Sequence, residues 1–138
     1  MQDAFRALVL DGMAERWGAV DESLNTDLDD IDNQYENDCV LVAVDGVTVV
    51  GTGILLIRAT EGEIVRMSVY RDYRRRGIGK QVLAELVKLA IGYGVKRIVV
   101  ETNAKWIEAR NLYEAFGFKF THSSPGAFGR EAFYQLLI

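Results

Sequence analysis

The sequence predicts an α/β (α+β) fold, with a mixed, mostly antiparallel sheet of about six strands flanked by about four helices. Three observations predict it. β-Branched runs joined by short turn signals alternate with segments of helical period. One amphipathic helix stands between two of the strands, and such a crossover requires those strands to be parallel. The 138 residues and 49% hydrophobic content match one globular domain, so residues 1–138 are expected to form a single domain.

Residues 3–17 read as a helix. Asp3 can cap it, Phe5, Leu8, Val9, Met13 and Trp17 keep helical spacing, and Gly18 can end it. Residues 26–36 predict a second, short helix with Leu28, Ile31 and Tyr35 on one side. The period then changes. Residues 40–44 and 47–57 are β-branched runs separated by Asp45-Gly46, a dipeptide that favours a type I′ hairpin turn. Residues 63–70 predict a third strand, introduced by a turn at Gly62. Residues 79–91 predict a helix with Ile78, Val82, Leu83, Leu86, Val87 and Ala90 on its apolar face, ended by Gly92 and Gly94. Residues 97–101 predict a strand, and residues 105–116 a helix closed by Gly117. Residues 118–121 and 133–138 predict the last two strands, with residues 123–129 as a loop between them.

Composition excludes several function classes. No apolar run reaches the roughly 18 residues of a membrane span. The first residues lack a basic segment followed by an apolar core, so a cytoplasmic location is expected. Cys39 is the only cysteine, which excludes an internal disulfide and a cysteine-based zinc site. It reads as a buried small hydrophobe. His122 is the only histidine, so an internal Ser-His-Asp or Cys-His site would have to use it. It reads as an ordinary strand-end residue, and no metal is expected. The net charge of −4 hides an asymmetry. Residues 21–38 hold eight acids and no lysine or arginine; removing them from the 20 acids leaves 12 against 16 bases, a net +4. Such a block is either a solvated face or a surface that attracts cations. Asp27, Asp29 and Asp38 resemble part of a calcium loop, but Asp32 stands where that loop needs glycine, and calcium is rejected.

The sharpest local feature is Arg74-Arg75-Arg76-Gly77-Ile78-Gly79-Lys80, between a predicted strand and an amphipathic helix. A helix N-terminus leaves backbone N–H groups free and carries partial positive charge. Glycines let the backbone approach an anion, and the basic side chains add charge, so the segment has the parts of a phosphate cradle. A Walker A loop fails here, because Arg74 stands at its first glycine and Gln81 follows the lysine. A dinucleotide fingerprint fails at Val82. The plain alternative is a glycine-containing turn with a solvated basic patch.

The run Arg74-x-x-Gly77-x-Gly79 resembles the acyl-CoA-binding signature of the GCN5-related N-acetyltransferase (GNAT) superfamily. A second block supports it: Glu101-Thr102-Asn103, then Ala109, Leu112-Tyr113 and Gly117-Phe118 at the family's spacing. The resemblance covers residues 39–138 well and the N-terminal helices more loosely. It implies transfer of an acetyl group from acetyl-CoA to a primary amine by direct attack in a ternary complex. Arg74, Arg75, Arg76, Gly77, Ile78, Gly79 and Lys80 would hold the coenzyme pyrophosphate. Met67, Ser68 and Val69, on a strand that splays from its neighbour, would pair with the pantetheine. Tyr113 matches the family tyrosine that protonates the departing thiolate. Glu63 and Glu101 match the bases of two different branches, and the sequence does not rank them.

The chain departs from the family pattern in two places. Trp106 stands seven residues before Tyr113, where relatives often carry asparagine. The family's first strand precedes its first helix, whereas this sequence starts in the helix. A sheet lacking that strand has an open edge, which predicts a homodimer through that edge or the C-terminal strands. In this family the connection between the first two helices borders the acceptor cleft, so eight acids there favour a cationic acceptor such as a polyamine, an aminoglycoside or a lysine-rich tail. Two rival readings stay open: the same fold as a non-catalytic acyl-CoA-binding or partner-docking module, and a nucleic-acid binder using Arg71, Arg74, Arg75, Arg76 and Lys80. Overall acidity and the absence of a stacking platform beside the arginines speak against the second, so no nucleic acid is expected as a partner.

Overall fold

Residues 49–56 of the second β-branched run are buried on both faces, and the molecule is layered around that strand. The structure, a computed structural model, describes residues 1–17 and 25–138. Among the described residues, six strands form one sheet: β1 (Cys39–Asp45), β2 (Thr48–Arg58), β3 (Glu61–Val69), β4 (Arg97–Asn103), β5 (Lys119–Gly126) and β6 (Gly129–Leu137), in the order β1-β2-β3-β4-β6-β5. The β3–β4 pair is parallel and the other pairs are antiparallel. Four helices among the described residues flank the sheet: α1 (Gln2–Trp17), α2 (Ile31–Gln34), α3 (Ile78–Gly92) and α4 (Ile107–Phe116). This is the mixed, mostly antiparallel architecture that the sequence predicts.

The two faces of the sheet are covered by different elements. On one face, Leu83, Leu86 and Ala90 of α3 and Tyr113 of α4 pack on Leu55, Ile64, Ile98, Val100 and Tyr134. On the other, Phe5 and Val9 of α1, with Leu28 and Ile31, cover Ile54 and Leu56 of β2. Consecutive residues Ile54 and Leu55 thus enter opposite cores, as the two-residue period of a strand requires. Helix α3 approaches the sheet closely because Gly53 has no side chain. A Cβ there would stand 2.7 Å from Leu86 Cδ1 and 2.8 Å from Met67 Sδ.

Several expected boundaries shift. Asp3 lies within the first turn of α1 and does not cap it. Gly18 lies outside the described residues. The predicted helix over 26–36 is a 3₁₀ turn (Thr26–Asp29) followed by the single turn of α2, capped by Asp30, whose side chain accepts from the Asn33 N–H. The first hairpin turn falls on Gly46 and Val47, since Asp45 pairs with Thr48. Only Gly46 takes positive φ there, whereas a type I′ turn needs it at both central residues. Gly62 is no turn: it is buried inside β3, and the turn is at Ala59 and Thr60. Residues 123–129 are no loop. Ser123 to Gly126 pair with Gly129 to Ala132, leaving a two-residue turn.

Leu86 is fully buried at the centre of the α3–sheet interface. Truncation to alanine is expected to cost about 2–5 kcal/mol, seen as a fall in Tm on the order of 10 °C in a thermal melt.

Candidate functional site

Parallel pairing between β3 and β4 ends at Ile64 and Val100, and the reason lies on the other side of β3. Ile54 of β2 pairs with Val65, but Thr52 pairs with Ser68. β3 therefore carries one residue more than β2 over this stretch, a β-bulge that bends the strand. Arg66 sits in it with φ of 56°, a left-handed conformation that costs a non-glycine residue about 1 kcal/mol or more. The buried Thr52 hydroxyl donates to the Arg66 carbonyl at 2.9 Å. Beyond the bulge β3 leaves β4, and a cleft of about 550 Å³ opens between them.

The basic end of the cleft is the start of α3. Gly77 is the N-cap at φ 77° with no side-chain cap, and a Cβ there would meet only open space. Arg75 is also left-handed, at φ 63°, so the chain turns sharply as it enters α3. The first intrahelical bond runs from the Gln81 N–H to the Gly77 carbonyl at 3.0 Å. The preceding N–H groups at Ile78, Gly79 and Lys80 have no intrahelical acceptor, and they carry the positive end of the helix dipole. Arg75, Gly77, Ile78, Gly79 and Lys80 all line the cleft. The uncapped donors, the unfilled space at Gly77 and the basic side chains fit an anionic phosphate group. Arg74 lines the cleft too, but its guanidinium donates to both Glu15 carboxylate oxygens (2.8 and 2.9 Å) and to the Val69 carbonyl (3.2 Å). It braces the turn against α1. Arg76 is not in the lining and stacks on the Tyr73 ring at 4.9 Å.

Along the splay the lining is Met67, Ser68 and Val69 from β3, facing Ala109, Leu112 and Tyr113 from α4. Tyr113 is 4% exposed, and its ring packs against Phe118 and Tyr134 at centroid distances of 5.9 and 6.2 Å. The Tyr134 hydroxyl donates to Glu114 at 2.9 Å and accepts from Arg110 at 2.8 Å, which ties α4 to β6 and sets where Tyr113 stands.

The far end of the cleft is acidic. Glu101 lines it. Burial pushes its carboxyl above the ordinary carboxylate range, and repulsion from Glu131 and then Glu63 pushes in the same direction. The register explains the grouping. Glu63 pairs with Val99, two residues before Glu101, and Glu131 pairs with Asn103, two residues after it, so all three project from one sheet face. Glu63 itself is outside the cleft lining and forms an ion pair with Arg58 at 3.7 Å.

Arg66 closes the same end. Its Nε donates to Asp27 Oδ2 at 3.0 Å, Nη2 donates to Asp27 Oδ1, and Nη1 donates to Asn25 Oδ1 at 3.0 Å. The Tyr35 hydroxyl donates to the same carboxylate. Burial pushes the Asp27 carboxyl up, but the hydrogen bonds from Arg66 and Tyr35 outweigh it, and the net shift is down. The Tyr35 hydroxyl is pushed up to about 12 by burial and by its bond to Asp27. A carboxyl depressed in the folded state stabilises fully above its unfolded value, and that contribution is lost as pH falls through the folded value.

Of the residues singled out in the sequence, the structure gathers Met67, Ser68, Val69, Arg74, Arg75, Gly77, Ile78, Gly79, Lys80, Glu101 and Tyr113 around one cleft. It leaves Glu63 and Arg76 beside it. Four of the six described acids of the block are engaged within the chain. Asp27 holds Arg66, Asp29 pairs with Arg6 at 3.2 Å, Asp30 caps α2, and Asp38 accepts from the Ile57 N–H at 3.1 Å. Asp21 and Glu22 lie outside the described residues. Sequence reasoning missed Thr52, Asp27 as the partner of Arg66, and Glu131. The one available signal is Arg66, an arginine inside an apolar strand, which predicts a carboxylate of the sheet as its partner or a place in the acceptor cleft; its partner is instead Asp27 of the 3₁₀ turn, and it also lines the cleft.

The acetyltransferase (GNAT) family profile matches residues 6–118. The chain belongs to this family. Human N-acetylaspartate synthetase is 34% identical over 110 residues, a match covering 74% of this chain and 35% of that protein. The chain spans about a third to a half of the length of the curated relatives it matches. A GNAT-family acetyltransferase of Staphylococcus aureus Mu50 superimposes with a TM-score of 0.84 at 22% identity, covering 98% of this chain and 92% of that one. A GNAT acetyltransferase of Elizabethkingia anophelis, solved with acetyl-CoA bound, superimposes with a TM-score of 0.70 at 18% identity, covering 78% and 82%. At these identities the two structures share the GNAT fold.

The grouping of Glu101 with Glu131 has a direct readout. In a carbon-13 NMR titration the Glu101 carboxyl should titrate above an ordinary glutamate, and Glu131→Gln should move it down. An unmoved titration would show that Glu131 does not act on it.

Proposed function

We propose that this chain transfers an acetyl group from acetyl-CoA to a primary amine by direct attack in a ternary complex. The observation that carries the reading is that a single cleft joins the α3 phosphate cradle, the unpaired edge of β3, Tyr113 and Glu101. The family match and the acetyl-CoA held by the Elizabethkingia anophelis relative support it. The cradle at Gly77 to Lys80 holds the pyrophosphate, and Arg75 and Lys80 add charge. The Met67–Val69 edge pairs with the pantetheine arm, and a backbone N–H near Val69 donates to the thioester carbonyl.

Glu101 accepts a proton from the acceptor ammonium, and the freed nitrogen lone pair attacks the thioester carbon. As the C–S bond breaks, Tyr113 donates its proton to the sulfur, and the surplus proton on the new amide nitrogen passes to the tyrosinate and restores it. Between the two glutamates, place in the cleft and a raised carboxyl favour Glu101 as base. Burial, then the charge of Glu131 and last that of Glu63, keep that carboxyl basic.

The acceptor is a cationic amine. Glu101 in the cleft lining, with Glu131 close enough to act on its carboxyl, supplies the attraction, rather than the 21–38 block as a whole. An aspartate acceptor, which the name of the human relative indicates for that protein, fits this end poorly. Arg66 is already neutralised by Asp27, and the three glutamates repel a dicarboxylate. A second copy of the chain pairs along β1, which is an edge strand exposing Val40 and Val44; light scattering at micromolar concentration should give the mass of two chains.

Calorimetry with acetyl-CoA should show micromolar binding that Gly77→Glu abolishes, because that side chain puts bulk and charge where the pyrophosphate sits. CoA release should rank diamine above monoamine and monoamine above aspartate. Tyr113→Phe should lower kcat about 10²–10⁴-fold with acetyl-CoA affinity unchanged. Binding without CoA release from any amine would favour the non-catalytic module instead.

A further inference from the structure

We propose that Arg66 is a positioning residue, whose grip on Asp27 fixes the acceptor end of the cleft. The inference rests on the acetyltransferase reading and goes beyond it by assigning a role to a residue that does no chemistry.

Arg66 occupies the one place where two structural needs meet. Its backbone is the left-handed bulge that bends β3 away from β4. Its side chain is the hub of a cluster: Asp27 and Asn25 accept from the guanidinium, and Tyr35 holds Asp27 from the other side. Asp27 lies in the 3₁₀ turn that leads into α2, so the segment running to Tyr35 is fastened to the bulge by one planar fork. A guanidinium matches a carboxylate with two parallel bonds, which fixes orientation as well as distance. Arg66 lines the cleft beside Met13 of α1 and Val65 and Met67 of β3, so any tilt of this fork moves the wall that an acceptor amine touches.

The choice of arginine carries weight. A position at φ 56° favours glycine or asparagine, and an arginine there is justified only by what its side chain holds. With Asp27 the pair is neutral. It therefore shapes the acceptor end without contributing net charge, and leaves selection of charge to the glutamates across the cleft.

The test uses three variants. Asp27→Asn keeps the shape and weakens the fork. Arg66→Gly suits the backbone but deletes the guanidinium. Arg66→Lys keeps the charge and loses the second parallel bond. Asp27→Asn and Arg66→Gly should each raise the KM for a diamine acceptor tenfold or more, while the acetyl-CoA dissociation constant measured by calorimetry stays within twofold. Arg66→Lys should fall between them and wild type. In parallel, amide hydrogen exchange should quicken at residues 25–35 and 65–69 in Asp27→Asn, without quickening in α3.

Wild-type kinetics in Arg66→Gly would overturn the proposal, because the arginine would then be merely tolerated. So would acetyl-CoA affinity and KM worsening together, which marks a general loss of structure. If the wild-type chain released no CoA with any amine, the acetyltransferase reading would fall. The grip would then be judged on exchange alone, where faster exchange at both segments supports it and unchanged exchange overturns it.

Discussion

Parallel strands pair through evenly spaced hydrogen bonds, and nothing in such a ladder stops it from continuing. Between β3 and β4 it stops after Ile64 and Val100 because β3 has one more residue than β2 can match. The surplus residue is Arg66, held by the Thr52 hydroxyl on its carbonyl and by Asp27 on its guanidinium. All that follows at the site depends on this mismatch. Without it the splay closes, the β3 edge is consumed by β4, and the α3 N-terminus points at a finished sheet. Local strain of about 1 kcal/mol is small against the burial that β2 and β3 gain elsewhere, so the fold can carry it.

The cleft that results has opposite electrostatic ends about one splayed strand apart. At one end uncapped N–H groups, Arg75 and Lys80 favour an anion; at the other Glu101 favours a cation, with Glu131 and Glu63 beside it on the same sheet face. Under the proposed reaction, a donor bearing a pyrophosphate and an acceptor bearing an ammonium would be sorted to opposite ends by charge before any specific contact forms. The tyrosine stands between them on α4, supported by a ring cluster and by the Tyr134 hydroxyl network. Where the sheet opens decides which side chains meet in the cleft.

Expectation and structure part company in an instructive pattern. Residues 123–129 contain two serines, a proline and two glycines, a composition that predicts a loop, yet they complete a hairpin. Proline is tolerated because β5 is an edge strand whose outer N–H groups need no partner. Gly62 reads as a turn because glycine usually is one between strands. Here it is a close approach, and a Cβ would stand 3.1 Å from Leu55 Cδ1. The acidic block reads as one surface, but its members face different partners, and four of them are engaged by the fold itself.

The sequence by itself determined the element order, the glycine-rich turn before α3 and the family, because each of these is local: a period, a turn, a spacing. Tyr113, Met67 to Val69 and Arg74 to Lys80 were singled out through the family resemblance that this spacing carries. Only the tertiary structure decided which glutamate enters the cleft, what Arg66 holds and why β3 leaves β4. Those facts depend on strand register, and register joins residues as far apart as Glu63, Glu101 and Glu131. A shift of one residue would turn each of them to the other face of the sheet, and no stretch of chain short enough to carry a motif contains the partners that prevent it.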